Sequence, residues 1–108
     1  MPFINLDEFE SREIIQGYRG VFLHSENMTL AYWTIDAGAA MPEHSHPQEQ
    51  VANILEGEFE LVLDGESKIL RPGMVAMIPA GIPHGGRALS RCRILDVFHP
   101  VREDYRMT

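Results

Sequence analysis

Apolar and polar residues alternate with a period of two along most of this chain, in short runs cut by glycine and proline. That period marks strands with one face on a core. Residues 17–24 predict a first strand and 28–35 a second, the latter rich in aromatic and β-branched side chains, with Ser25-Glu26-Asn27 as the turn between them. Residues 36–40 break the pattern and 51–55 resume it. In the next run Phe59, Leu61 and Leu63 fall on one face, and Glu58 and Glu60 share the other. Asp64-Gly65 is a two-residue hairpin signal, after which residues 67–70 return. Pro72-Gly73 turns again, residues 75–78 make an apolar strand stopped by Pro79, and a last strand runs from about 91 to 98. Ahead of these, Leu6-Asp7-Glu8-Phe9 predicts one helical turn capped by Asn5. Eight or nine strands and no long helix predict an all-β fold, an antiparallel barrel or double sheet closed so as to leave few edges. Trp33 and the other large apolar residues are assigned to its core.

The length of 108 residues suits one domain with one core. Residues 1–16 read as an N-terminal extension, 17–98 as the barrel and 99–108 as a short polar tail. A net charge of −7 argues against nucleic acid or an anionic membrane as partner. The charge is uneven: residues 1–66 hold 13 acids and 2 bases, hence −11, and residues 67–108 hold 3 acids and 7 bases, hence +4. Arginines of the second half therefore either line a pocket for a small anion or lie on solvated outer strands. The single cysteine, Cys92, sits in an apolar alternating run and reads as a buried structural thiol. Residues 1–5 carry no basic segment and no long apolar stretch, and no run reaches membrane-spanning length. A soluble, cytoplasmic protein is expected.

Glu43-His44-Ser45-His46-Pro47-Gln48-Glu49-Gln50 changes the picture. On a strand, His44 and His46 would present two imidazoles to one side, close enough to chelate one metal ion. Gln50 keeps the same parity, with Glu49 beside it as the competing fourth ligand. His84, after the turn Pro79-Ala80-Gly81-Ile82-Pro83, is a distant third histidine. Ligands of this type are compatible with Ni, Zn, Mn, Fe or Cu and do not choose among them. Three neutral imidazoles and a neutral amide leave a divalent ion uncompensated, so such a site favours an anionic ligand. His24 and His99 lie apart from this cluster; His24 reads as a strand-end surface residue, and His99 follows the last strand near the expected pocket entrance.

The spacing of these residues resembles a known family. Gly38, five residues, His44, one residue, His46, then Gln50 and Gly57, is similar to the first cupin motif. Gly73, five residues, Pro79, one residue, Gly81, two residues, His84, is similar to the second. Gln50 stands where the first motif usually has Glu, and Ala88 where the second usually has Asn. The resemblance implies a small jelly-roll barrel with a metal at its open mouth, held by His44, His46, Gln50 and His84. Because cupins commonly dimerise, it also implies a homodimer. The run from Leu95 to Tyr105 looks like the tail of the pectin-degradation cupins known as KdgF, which convert unsaturated monouronates from pectin and alginate into linear keto acids. That likeness implies Asp96 as the proton-transfer residue, Arg102 as a contact for the substrate carboxylate and Phe98 as a pocket wall.

The residues add their own argument at two of these positions. Ile94, Asp96 and Phe98 share one strand face, so a carboxyl group among inward apolar residues should have a raised pKa. The competing reading has Asp96 in solvent or paired with Arg87 or Arg93. Arg102 either clamps a carboxylate through its two-pronged guanidinium or pairs with Glu103 or Asp104. Tyr32, Met41 and Met77 are further candidates for the mouth, against a plain core role. Three functions are compatible with the chain: a metal-dependent enzyme acting on a small anionic sugar acid, a small cupin dioxygenase, and a non-catalytic sugar-binding or sensor module.

Overall fold

The alternation becomes ten strands in the computed structural model, which describes residues 3–106. They are β1 (Arg12–Ile15), β2 (Tyr18–His24), β3 (Thr29–Ile35), β4 (Ala40–His44), β5 (Glu49–Glu56), β6 (Phe59–Leu63), β7 (Glu66–Leu70), β8 (Val75–Ile78), β9 (His84–Ala88) and β10 (Cys92–His99). One sheet has the order β1-β2-β3-β10-β5-β8 and the other β4-β9-β6-β7, with antiparallel pairing throughout. This is the double-sheet jelly roll. The core lies between the sheets: Tyr18, Trp33, Ile35, Ile54, Ile78, Ile94 and Phe98 from the first, Phe59, Leu61, Leu70 and Ala88 from the second.

Local signals act as the sequence suggests. The Asn5 side chain accepts from Asp7 N–H at 3.0 Å and caps a short 3-10 turn, Leu6–Glu8. Asp64 and Gly65 both take positive φ, 50° and 82°, and join β6 to β7. That pair of angles matches the twist of a two-residue hairpin.

Both chain ends depart from expectation. Within the presumed extension, β1 pairs with the start of β2. The polar tail instead turns into helix α1 (Glu103–Arg106) and buries Tyr105 against Phe22, Trp33 and Phe98, at ring separations of 4.7–5.9 Å. Its final two residues lie outside the described part. One aromatic side chain in an otherwise charged run outweighs the polarity around it, because it fills the end of the barrel. Arg12 helps hold it there, donating from Nη2 to Tyr105 O at 2.7 Å. No helix among the described residues is long and apolar enough to cross a membrane.

Candidate metal centre and its cavity

Two strand ends and the connection between β4 and β5 deliver the histidines to the mouth of the barrel. His44 closes β4 and His84 opens β9, and the two are direct partners across that ladder. Their rings lie 4.4 Å apart. His46 is not on a strand with His44: β4 ends at His44, and His46 sits in the bend that leads through Pro47 to β5. Strand parity therefore does not bring His46 in. A hydrogen bond does: Gly81 N–H donates to His46 O at 2.9 Å, joining the two motif loops. Gly81 holds φ 78°, a backbone angle that glycine takes without cost.

All three rings are turned the same way by backbone carbonyls. Nδ1–H donates to Pro42 O in His44, to Gln48 O in His46 and to Ile82 O in His84, at 2.9, 3.0 and 2.8 Å. A carbonyl only accepts, so Nδ1 carries a proton in each ring, and in a neutral ring Nε2 then keeps its lone pair. The ligand atoms of the three rings lie within 4.8 Å of one another. His84 Nε2 is buried with no hydrogen-bond partner. Gln50 Oε1 points at His46 Nε2 from 3.0 Å. With the imidazole neutral and the amide oxygen an acceptor, two lone pairs face each other. A shared cation removes that conflict, so these residues fit a metal ion. Burial lowers the pKa of His46, with Arg102 adding to the effect, and burial also lowers that of His84. The rings are thus biased to the neutral form that binds metal. Gln50 is buried and its neighbour Glu49 is exposed, which favours the amide over the carboxylate as the fourth ligand.

Behind the histidines a cavity runs into the barrel. Met41, Asp96, Phe98, Arg102, Trp33 and Tyr18 line it among apolar neighbours. Asp96 shares the inner face of β10 with Ile94 and Phe98, as alternation predicts. Its partner is neither Arg87 nor Arg93. Trp33 Nε1–H donates to Asp96 Oδ2 at 3.0 Å, because β3 runs beside β10. Burial pushes the Asp96 pKa up to about 6, against the stabilising pull of the Gln50 amide, Trp33 and Arg102. Phe98 packs edge-on against the His46 ring at 5.5 Å.

Arg102 takes the second alternative raised by the sequence, pairing with Asp104. It is buried and lines the cavity, yet Nε and Nη2 donate to both oxygens of Asp104, at 2.9 and 2.6 Å. Its guanidinium stacks over Tyr105 at 4.1 Å and Phe98 at 4.8 Å. The other basic residues of the second half do not gather round a pocket. Arg71, Arg87 and Arg91 form exposed pairs with Glu58, Glu60 and Glu56. Tyr32 is on the outer face of β3, opposite Trp33, and does not line the cavity. Met77 is 64% exposed on the edge strand β8. His99 is exposed beyond the inward Phe98, and His24 pairs with Thr29 at the end of β2. Sequence reasoning passed over Tyr18, Gln48 and Tyr105. Tyr18 was readable only as strand core, and nothing local marked Gln48, whose amide donates to Val101 O at 3.2 Å.

The sequence profile of the cupin domain matches residues 31–98, which span both motifs and the three histidines. The chain is a cupin. KdgF of Dickeya dadantii, a pectin degradation protein, is a homologue: it is 30% identical over 102 residues, covering 92% of this cupin and 93% of KdgF. The structure of KdgF from a Halomonas species superposes on the cupin with a TM-score of 0.88 at 30% identity, covering 95% of this chain and 97% of that one. An RmlC-like cupin from Shewanella frigidimarina reaches a TM-score of 0.92 at 28% identity, covering 97% and 96%. Cupins commonly bind a metal, and this one carries the histidine triad to do so.

Proposed function

We propose that this cupin holds one divalent transition-metal ion through His44, His46, His84 and Gln50, and converts 4,5-unsaturated monouronates into their linear keto forms. The observation that carries the reading is one carboxyl group. Asp96, with a pKa of about 6, opens onto the same cavity as the histidine triad and Arg102. Homology to KdgF over nearly the whole chain supports the substrate class.

The conversion is an isomerisation. The hemiacetal C–O bond of the ring opens as the hemiacetal hydroxyl gives up its proton, and the resulting enolate gains a proton on carbon to become the ketone. When bound, the ion supplies positive charge that polarises an oxygen of the substrate. Arg102 binds the substrate carboxylate with the guanidinium N–H groups that Asp104 leaves over, and stacking on Phe98 and Tyr105 fixes its plane. Asp96 carries the proton. A carboxyl group of pKa about 6 is present in both forms near neutral pH, as a group that must take and return a proton requires. Trp33 holds its Oδ2 and so aims the other oxygen into the cavity. Phe98 and Met41 give the cavity apolar walls beside the metal residues.

A proton-NMR time course on a 4,5-unsaturated galacturonate monomer tests this. Vinyl-signal loss should be faster with metal-loaded protein, stay fast under argon, and fall to the uncatalysed rate after chelation or in Asp96→Asn. A wild-type rate no faster than buffer would exclude the substrate. Dependence on dioxygen would favour an oxygenase instead.

A further inference from the structure

Tyr18 is a cost the proposed function does not explain. Its side chain is 3% exposed, it lines the same cavity as the metal residues, and its hydroxyl is buried without a hydrogen-bond partner. Trp33, Ile35 and Leu61 are among the apolar neighbours along this wall. The ring itself is well accommodated, meeting Trp33 edge-to-face at 5.8 Å. Phenylalanine would fill the same place without stranding a polar atom, and a buried polar atom left unpaired costs stability. A second stranded atom, Asp96 Oδ1, opens onto the cavity as well. The Gln50 amide faces that carboxyl group without closing a hydrogen bond to Oδ1. Two buried polar atoms in one cavity call for a partner that is not part of the chain.

We infer that Tyr18 Oη marks a second polar subsite, on the inner side of the metal centre, that takes a hydroxyl group. The chemistry narrows the occupant. Burial, with Asp96 and Cys92 adding to it, keeps the phenol protonated, so Tyr18 donates. Its unpaired O–H calls for an acceptor. It is not a carboxylate, because the walls are apolar and Asp96 opens onto the same space. A hydroxyl accepts from Tyr18 and can donate a hydrogen bond to the unpaired Asp96 Oδ1. In the free protein that hydroxyl belongs to water; in the complex it belongs to the ligand. The second statement rests on the uronate reading and orients the sugar: carboxylate outward at Arg102, a ring hydroxyl inward at Tyr18.

Crystals of the metal-loaded protein, free and soaked with the monouronate, test the subsite together with Tyr18→Phe kinetics. A solvent oxygen within hydrogen-bond distance of Tyr18 Oη is expected in the free protein, replaced by a sugar hydroxyl in the complex. Tyr18→Phe should raise KM about tenfold and leave kcat within about twofold, as for one lost neutral hydrogen bond. Unchanged KM, or an empty apolar space beside Tyr18 in both crystals, overturns the inference. Should the wild type fail to convert the uronate, the proposed function falls by itself. The free crystal then decides the subsite alone: an oxygen on Tyr18 supports it, and a dry cavity overturns it.

Discussion

Asp96 sets activity against stability within one side chain. Its folded pKa is about 6, raised by burial above the ordinary 3.8. Between those values the folded state binds more protons than the unfolded chain. Stability contributed by this group is therefore present at low pH and is lost as pH rises through about 6. Two pKa units correspond to about 3 kcal/mol, an upper bound for the penalty at neutral pH. Asparagine removes the charge but strands one amide group, so a net gain of about 1–2 kcal/mol is expected. Urea titrations of metal-free protein at pH 7.5 should find Asp96→Asn more stable than wild type, with the gap closing by pH 4. A gap that does not change with pH would mean that the Asp96 charge is not the cause. Arg102 answers to a different measurement. Lysine keeps the charge but loses the fork and the stacking, so Arg102→Lys should raise KM for the uronate about tenfold or more, with a smaller effect on kcat.

Strand ends, not strand middles, build the metal centre, and this decides what the sequence could disclose. Parity along one strand was legible: Ile94, Asp96 and Phe98 inward on β10, Phe59 and Leu61 inward on β6. So were the Asn5 cap and the Asp64-Gly65 turn, because each is settled within a few residues. Pairing between strands was not legible, since register is fixed by the whole sheet. Nothing near Asp96 names Trp33, and nothing near His44 names His84 as its cross-strand partner. Tyr32 was a different kind of miss. With Trp33 in the core, its neighbour had to face outward, and alternation alone contained that answer. The same geometry makes β9 intolerant of bulk. A methyl group on Gly86 would come within 2.5 Å of Glu60 O and of the Phe59 ring. Gly86→Ala should cost about 1–3 kcal/mol by forcing the sheet to shift. Because His84 opens the same strand, metal affinity measured by calorimetry should fall with it. A destabilised protein that keeps full affinity would show that β4 and the loop bonds hold His84 unaided.

For the whole molecule, the metal centre joins segments from distant parts of the chain. β4, the connection to β5 and the turn into β9 meet at the mouth, through the His44–His84 ladder pair and the Gly81–His46 bond. An ion held by all of them binds the folded state and has no equivalent site in the unfolded one, so its binding free energy adds to folding stability. At a free-metal concentration one hundred times Kd the gain is about 2.7 kcal/mol. For a chain of this size that is roughly 10–20 °C in Tm. Protons compete for the same Nε2 atoms. Below the ordinary histidine pKa the unfolded chain takes up protons that buried His46 and His84 resist, so metal-free protein loses stability on acidification, and the ion loses affinity as well. Scanning calorimetry with zinc or nickel against chelator should therefore give a large Tm difference at pH 7.5, a smaller one at pH 5.5, and none for His44→Ala/His84→Ala. A shift that survives in the double variant would place the ion elsewhere on the acidic surface. It would also remove the support for a metal-dependent reaction at this mouth.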